Sequence, residues 1–165
     1  MRSSAVIAET GHNPLDVVED IAAVHAWSHE RRGDCEVAVE APGHWATYNL
    51  YFTWAEDMRA IHLSCAFTLP QPVSESPEVF RLLTLINERM WLGHFTLWSE
   101  TRLPMFRHTL LMPSGGATEE AMAKLVDIAV GECERFYPAF HFVGWGGKTA
   151  KEAIAAALID TVGEA

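Results

Sequence analysis

A chain of 165 residues, 49% hydrophobic and 21% charged, has the composition of a globular domain that buries a core without disulfide or metal staples, and lies far from the profile of disordered chains. Twelve Lys and Arg against 22 Asp and Glu leave a formal charge of −10, and no stretch gathers the basic stripe that nucleic acid or an anionic lipid surface would need, so neither is an expected partner. No apolar run reaches the roughly 18 residues needed to span a bilayer, and Cys35, Cys65 and Cys133, far apart, odd in number and without CxxC spacing, read as reduced thiols in a cytoplasm.

Residues 1–12 read as a flexible tail, since Ala5-Val6-Ile7-Ala8 is too short for the apolar region of a signal peptide, and residues 13–165 read as a single domain. Asn13-Pro14-Leu15-Asp16 opens a helix: Asn13 caps it, Pro14 takes the first position and Asp16 favours the positive end of the dipole. The apolar spacing of Val17, Val18, Ile21, Val24 and Trp27 predicts that this helix runs to about His29 and stops before Gly33.

From Cys35 the period becomes alternating, with Val37, Val39 and Ala41 on one side of a strand. After a turn at Pro42-Gly43, Tyr48, Leu50, Phe52 and Trp54 share one side of a second strand. Beyond a loop at residues 55–58, Ile61, Leu63, Cys65 and Phe67 do so on a third. Pairing Trp54 with Arg59 sets Phe52 against Ile61 and Leu50 against Leu63, so both apolar rows fall on one face of a meander. The other face then carries Thr47, Asn49, Tyr51 and Thr53 beside Ala60, His62, Ser64 and Ala66, polar enough to meet water or a partner.

Leu69-Pro70-Gln71-Pro72 breaks the third strand, and Ser76-Pro77-Glu78 starts a second helix whose buried stripe is Val79, Leu82, Leu83, Ile86 and Met90. Phe95 to Trp98 and Met105 to Leu111 read as a hairpin. Pro113 to Gly116 is a short linker, and Thr118 caps a third helix expected to end near Tyr137-Pro138, before a short apolar run from Phe140 to Trp145. Thr149-Ala150-Lys151-Glu152 is a capping box for a last, alanine-rich helix. Strands grouped in hairpins predict an α+β fold: a mostly antiparallel sheet, a three-stranded meander plus a hairpin, with helices packed on one face.

Few residues suggest chemistry. Gly144-Trp145-Gly146-Gly147-Lys148-Thr149 invites a phosphate-loop reading, but Phe142 stands where the first Walker glycine should be, which leaves a tight turn into a capped helix. His25 and His29, four apart on the expected first helix, make at most a weak metal pair for which no further ligands can be named. His94 and His108, on the two arms of the hairpin with Arg107 between them in sequence, could form an acid/base cluster if the register cooperates. Nucleophile-elbow and zinc-protease motifs do not occur, so no catalytic residue, cofactor or metal is expected. The six tryptophans, Trp27, Trp45, Trp54, Trp91, Trp98 and Trp145, read first as core and second as an aromatic binding surface.

Particular words then become recognisable: Glu78-Val79 through Leu82-Leu83 to Ile86-Asn87-Glu88-Arg89, Leu92-Gly93-His94-Phe95, Arg107-His108, and Glu134 to Phe140. With Asn13-Pro14-Leu15 and Trp145-Gly146-Gly147-Lys148, the chain resembles, over about residues 13–163, the YbjN family of bacterial sensory transduction regulators, most of all its α-proteobacterial branch. The resemblance implies a fold similar to type III secretion chaperones, a helix-flanked antiparallel sheet that dimerises and holds extended client segments. It implies no catalytic residue or cofactor.

The first expectation is therefore a non-catalytic regulatory or chaperone-like module, homodimeric and cytoplasmic, that binds a protein client or regulatory partner. Its candidate contact residues are Trp45, Tyr51, His62, His94, Arg107 and His108. The alternative is a small-ligand sensor or enzyme built on His94, His108 and Arg107.

Overall fold

The computed structural model describes residues 13–70, 73, 76–112, 116 and 118–162, so the expected tail, part of the break after Leu69 and most of the Pro113–Gly116 linker lie outside the described residues. Helix α1 (Pro14–Val24) leads into strands β1 (Ser28–Arg32), β2 (Glu36–Pro42), β3 (Thr47–Ala55) and β4 (Ala60–Phe67). Helix α2 (Pro77–Asn87), strands β5 (His94–Leu97) and β6 (Pro104–Leu111) and helices α3 (Glu119–Gly144) and α4 (Ala150–Val162) follow. The six strands form one antiparallel sheet in the order β1-β2-β3-β4-β6-β5. The architecture is α+β, an antiparallel meander extended by a hairpin, as the sequence predicts, except that β1 adds a fourth strand to the expected three-stranded meander.

Three helix starts follow from local chemistry. The Asn13 side chain accepts from the Leu15 N–H, the Ser76 hydroxyl from the Val79 N–H and the Thr118 hydroxyl from the Ala121 N–H. At α4 the Glu152 carboxylate accepts from the Thr149 N–H at 2.9 Å, and the Thr149 hydroxyl accepts from the Glu152 N–H at 3.3 Å, a complete capping box.

Helix α1 ends earlier than its apolar spacing suggests. Ala26 takes φ +56°, the Trp27 N–H donates to the Ala22 carbonyl at 2.8 Å and the Ala26 N–H to that of Ala23 at 3.1 Å. This is a Schellman ending with alanine where glycine is usual, at a cost of roughly 1–2 kcal/mol for the left-handed residue. The chain then enters β1, an edge strand without an aliphatic residue. Its Arg31 reaches back to Asp16 at 3.0 Å and Glu19 at 2.7 Å on α1.

The β3–β4 register also differs from expectation. Trp54 pairs with Ile61, Phe52 with Leu63 and Leu50 with Cys65, a slip of two residues that keeps every side chain on its expected face. Arg59 causes it: at φ +48° it closes the turn instead of joining the ladder, and its backbone and guanidinium hold Met112 at 2.8 and 3.1 Å.

Helix α3 runs straight past Tyr137-Pro138 to Gly144. Proline inside a helix costs about 3 kcal/mol. That cost is offset because Cys133, Phe136, Ala139 and Phe140, on both sides of it, are fully buried.

The core lies between the sheet and the helices. Val37, Val39, Leu50, Phe52, Ile61, Leu63, Cys65 and Phe106 from the strands meet Leu15, Val18, Leu82, Ile86, Leu125, Ala129 and Phe136 from the helices. Phe67 and Phe95 each touch Phe140, giving an aromatic spine along α3. Cys65 and Cys133, distant in sequence, have sulfur atoms 3.6 Å apart in this core, and burial pushes the Cys133 thiol well above its ordinary value, so it stays protonated.

Phenylalanines, not tryptophans, fill the interior. None of the six tryptophans is fully buried: Trp27 and Trp54 pack half-buried at the margin of the core, whereas Trp45, Trp91, Trp98 and Trp145 are exposed, which corrects the core reading for those four. On the outer side of β5, the Asn87 side-chain amide donates to the Phe95 carbonyl at 3.0 Å and accepts from the Phe95 N–H at 2.7 Å.

Candidate functional site

Strand alternation leaves one face of the sheet without helices, and the register orders it into rows. Glu30, Ala38, Tyr51, Ser64, Arg107 and His94 are successive neighbours across all six strands. Arg32, Glu36, Thr53, His62 and Thr109 form the next row, and Ser28, Glu40, Asn49, Ala66, Met105 and Thr96 the row on the other side. Carboxylates gather on the β1–β2 flank, and imidazoles with Arg107 on the β4–β6–β5 flank.

Of the six candidate contact residues, the structure brings Tyr51, His62, His94 and Arg107 onto this face. His108 pairs with Leu63 and so points to the helix side, opposite Arg107 and His94. Its place on the open face falls to Thr109. The expected His94, His108 and Arg107 cluster is therefore split by the sheet, although His94 still disfavours the charged form of His108, whose value burial lowers first.

Trp45 is apart from all of these, in the β2–β3 turn. Its ring stacks on Tyr137 of α3 at 5.9 Å, and its backbone N–H donates to the Glu134 carboxylate at 3.3 Å.

What assembles instead is a clasp around His62. Arg107 offers only donors, and its Nε and Nη2 lie 3.4 and 3.2 Å from His62 Nε2, which therefore accepts. The proton then sits on Nδ1, which donates to Thr109 Oγ1 at 2.9 Å, while the Ser64 hydroxyl lies 3.1 Å from Nε2. Burial, then Arg107, His94 and His108 lower the His62 value, so the imidazole is held neutral.

Because the folded-state values of His62 and His108 lie below the ordinary 6.5, the unfolded chain takes up protons first as pH falls. Their contribution is complete above that value and is lost as pH drops through the lower folded-state values. Urea midpoints should therefore fall between pH 7.5 and 5.5, and His62→Gln should flatten part of the slope. A midpoint independent of pH in both proteins would contradict the clasp.

The open face is also hollow. A cavity of about 320 Å³ is lined by Arg32, Glu36, Ala38, Tyr51, Thr53 and Trp98, together with Val37 and Phe52. A smaller hollow of about 130 Å³ shares Arg32, Ala38 and Tyr51 and adds Ser28, His29, Glu30, Val39, Glu40 and Asn49. Trp98 follows β5 at one edge of the sheet and Arg32 ends β1 at the other, five strand spacings or roughly 24 Å apart across a flat sheet and farther still along the diagonal, since they lie at opposite ends of the sheet along the strand direction. That both line one cavity requires the sheet to twist and curl, as antiparallel sheets do, so that diagonal corners approach over its open face.

Arg32 is paired with Glu30 at 3.1 Å, whereas Glu36 and Glu40 make no ion pair among the described residues. Tyr51 and Trp98 are 37% and 38% exposed at the trough.

Sequence reading missed Trp98, Arg32 and Glu36 as partners. The alternation of Thr96 and Trp98 places both on the open side, but the approach of Trp98 to Arg32 is tertiary, and Ser28 and His29 read as the end of the first helix rather than as the start of a strand.

Two other sequence signals resolve differently. His25 caps the C-terminus of α1 and stacks on Trp27 at 4.4 Å, while His29 lies in β1, so the helical pair does not exist. Among the described residues no group of three or more His, Cys, Asp or Glu is placed to hold a metal. At the glycine-rich turn, the Trp145 and Lys148 N–H groups donate to α3 carbonyls, and the Ala150 N–H donates to Glu78 at 2.7 Å. The α4 N-terminus is thus already satisfied by carboxylates, Glu78 and Glu152. No helix among the described residues is long and apolar enough to cross a membrane.

Comparison with known proteins adds three findings. A family model described as "YbjN: Putative bacterial sensory transduction regulator" matches residues 14–142. A search of curated proteins finds no match. Among solved structures, a crystal structure of YbjN from E. coli is similar with a TM-score of 0.48 and 15% identity, over 72% of this chain and 84% of that one.

Proposed function

The chain belongs to the YbjN family, and we propose that it acts as a non-catalytic regulator, chaperone-like and cytoplasmic, that binds a segment of a protein partner along the open face of its sheet. One observation carries this reading: the sheet is sealed by helices on one side and coiled into an aromatic-lined trough on the other. An antiparallel sheet face of this width suits an extended segment, whose alternate side chains can enter successive hollows. Tyr51 with Trp98 at the trough and His62, Arg107 and His94 beside it are the contact residues in this reading; Trp45 and His108 lie outside it. The chain works as a homodimer, for which Trp91, almost fully exposed beside Leu92, supplies apolar surface.

A photo-crosslinking residue placed at Tyr51 tests the binding face. Crosslinks to a partner segment are expected from position 51 and not from Phe80, an exposed position on α2. Crosslinks only from Phe80, or from neither position, would overturn the reading. Light scattering should give twice the 18.4 kDa chain mass, and a Trp91→Ser variant should move it towards the monomer.

A further inference from the structure

We propose that the cavity beneath Trp98 is a pocket for a basic side chain, the ammonium of lysine or the guanidinium of arginine, carried by the segment that the open face binds. This inference rests on the proposed function and adds the chemistry that selects the segment.

The walls state the preference. Trp98 and Tyr51 both line the cavity, and so does Glu36, which makes no ion pair among the described residues although Arg32 is its cross-strand neighbour. Ring faces attract cations, and tryptophan and tyrosine do so more strongly than phenylalanine. The cavity's single cation, Arg32, is paired with Glu30 and stands across from Glu36, so carboxylates outnumber cations around it. The neighbouring hollow repeats the sign, with Glu40 unpaired and Glu30 shared with Arg32. A volume of about 320 Å³ lies at the small end of ligand pockets, suited to one side chain rather than to a large cofactor. A chain of net charge −10 adds a long-range field of the same sense.

Recognition of this kind forms no covalent bond. The cation's hydrocarbon stem lies along the rings, its charge sits between the ring faces and Glu36, and the segment's backbone runs along the trough past Thr53 and Asn49.

Three short Gly/Ser peptides, identical except for a central arginine, norleucine or glutamate, test the proposal when titrated into the full chain while the Trp98 indole N–H is followed by NMR. The arginine peptide should shift that resonance saturably and bind about tenfold more tightly than the norleucine peptide, the glutamate peptide more weakly still. Glu36→Gln should weaken the arginine peptide by about fivefold, and Trp98→Ala, followed through the Tyr51 ring signals, by about tenfold. Phe80→Ala, which removes an exposed aromatic ring on α2, should leave it unchanged.

Equal binding of the arginine and norleucine peptides would overturn the cationic preference while leaving segment binding intact. Arginine-peptide binding that ignores both Trp98→Ala and Glu36→Gln would overturn the location, and the Tyr51 crosslinks then report separately on the open face. Binding of N-acetyl-lysine methylamide as tight as that of the peptide would overturn the segment as carrier. No shift with any peptide would overturn the pocket itself.

Discussion

Gly93→Ala should lower the unfolding free energy by about 2–5 kcal/mol, combining the left-handed penalty of a non-glycine residue with overpacking of a core. Gly93 has φ +70°, and an added Cβ would meet the Phe106 ring, with Cε2 at 2.6 Å, and the Arg107 carbonyl oxygen at 2.8 Å. Neither can yield cheaply. The Phe106 ring is fully buried against Phe95, and the Arg107 carbonyl belongs to β6, which is held between β4 and β5. Urea unfolding should show a lower midpoint at unchanged slope. A loss below about 1 kcal/mol would mean that the turn into β5 is looser than its backbone suggests.

Phe67→Ala should cost about 3–5 kcal/mol, the usual range for deleting a buried aromatic ring. Phe67 ends β4 without solvent exposure and lies 5.8 Å from Tyr48, 5.4 Å from Tyr137 and 5.9 Å from Phe140. Those rings come from β3 and from two successive turns of α3, so the hole cannot be filled by moving one side chain. The same stretch of α3 carries Pro138 at a cost of about 3 kcal/mol, and loss of its packing should loosen the helix from Tyr137 onwards. Hydrogen exchange should show faster exchange there than around Met122. Uniform exchange along α3 would sever this link between the ring and the helix.

What could be read from sequence was local or periodic. Asn13-Pro14, Ser76-Pro77, Thr118 and the Thr149–Glu152 box declare helix starts because capping needs only a few consecutive residues. The alternation in residues 37–41, 48–54 and 61–67 declares which face is dry, and a two-residue slip leaves that face unchanged.

The failures have equally definite causes. Ala26 ends α1 in a conformation that glycine would have advertised, and Ser28–Arg32 carries no aliphatic side chain because both sides of this edge strand meet solvent or charge. Pro138 signals a break that neighbouring burial overrides. The candidate site was half legible: Tyr51 and His62 follow from alternation, and His94 shares a face with Arg107. The separation of His108 depends on pairing that only the folded sheet defines, and the approach of Trp98 to Arg32 depends on its coil.

The amide of Asn87 occupies the central donor and acceptor on the outer rim of β5, where a further strand would otherwise attach. It serves as a one-residue stopper, so lateral recruitment of a foreign chain is confined to the opposite rim at β1. There the sequence Ser-His-Glu-Arg-Arg makes a poor template for amyloid-like growth, because each added copy would stack like charges in register.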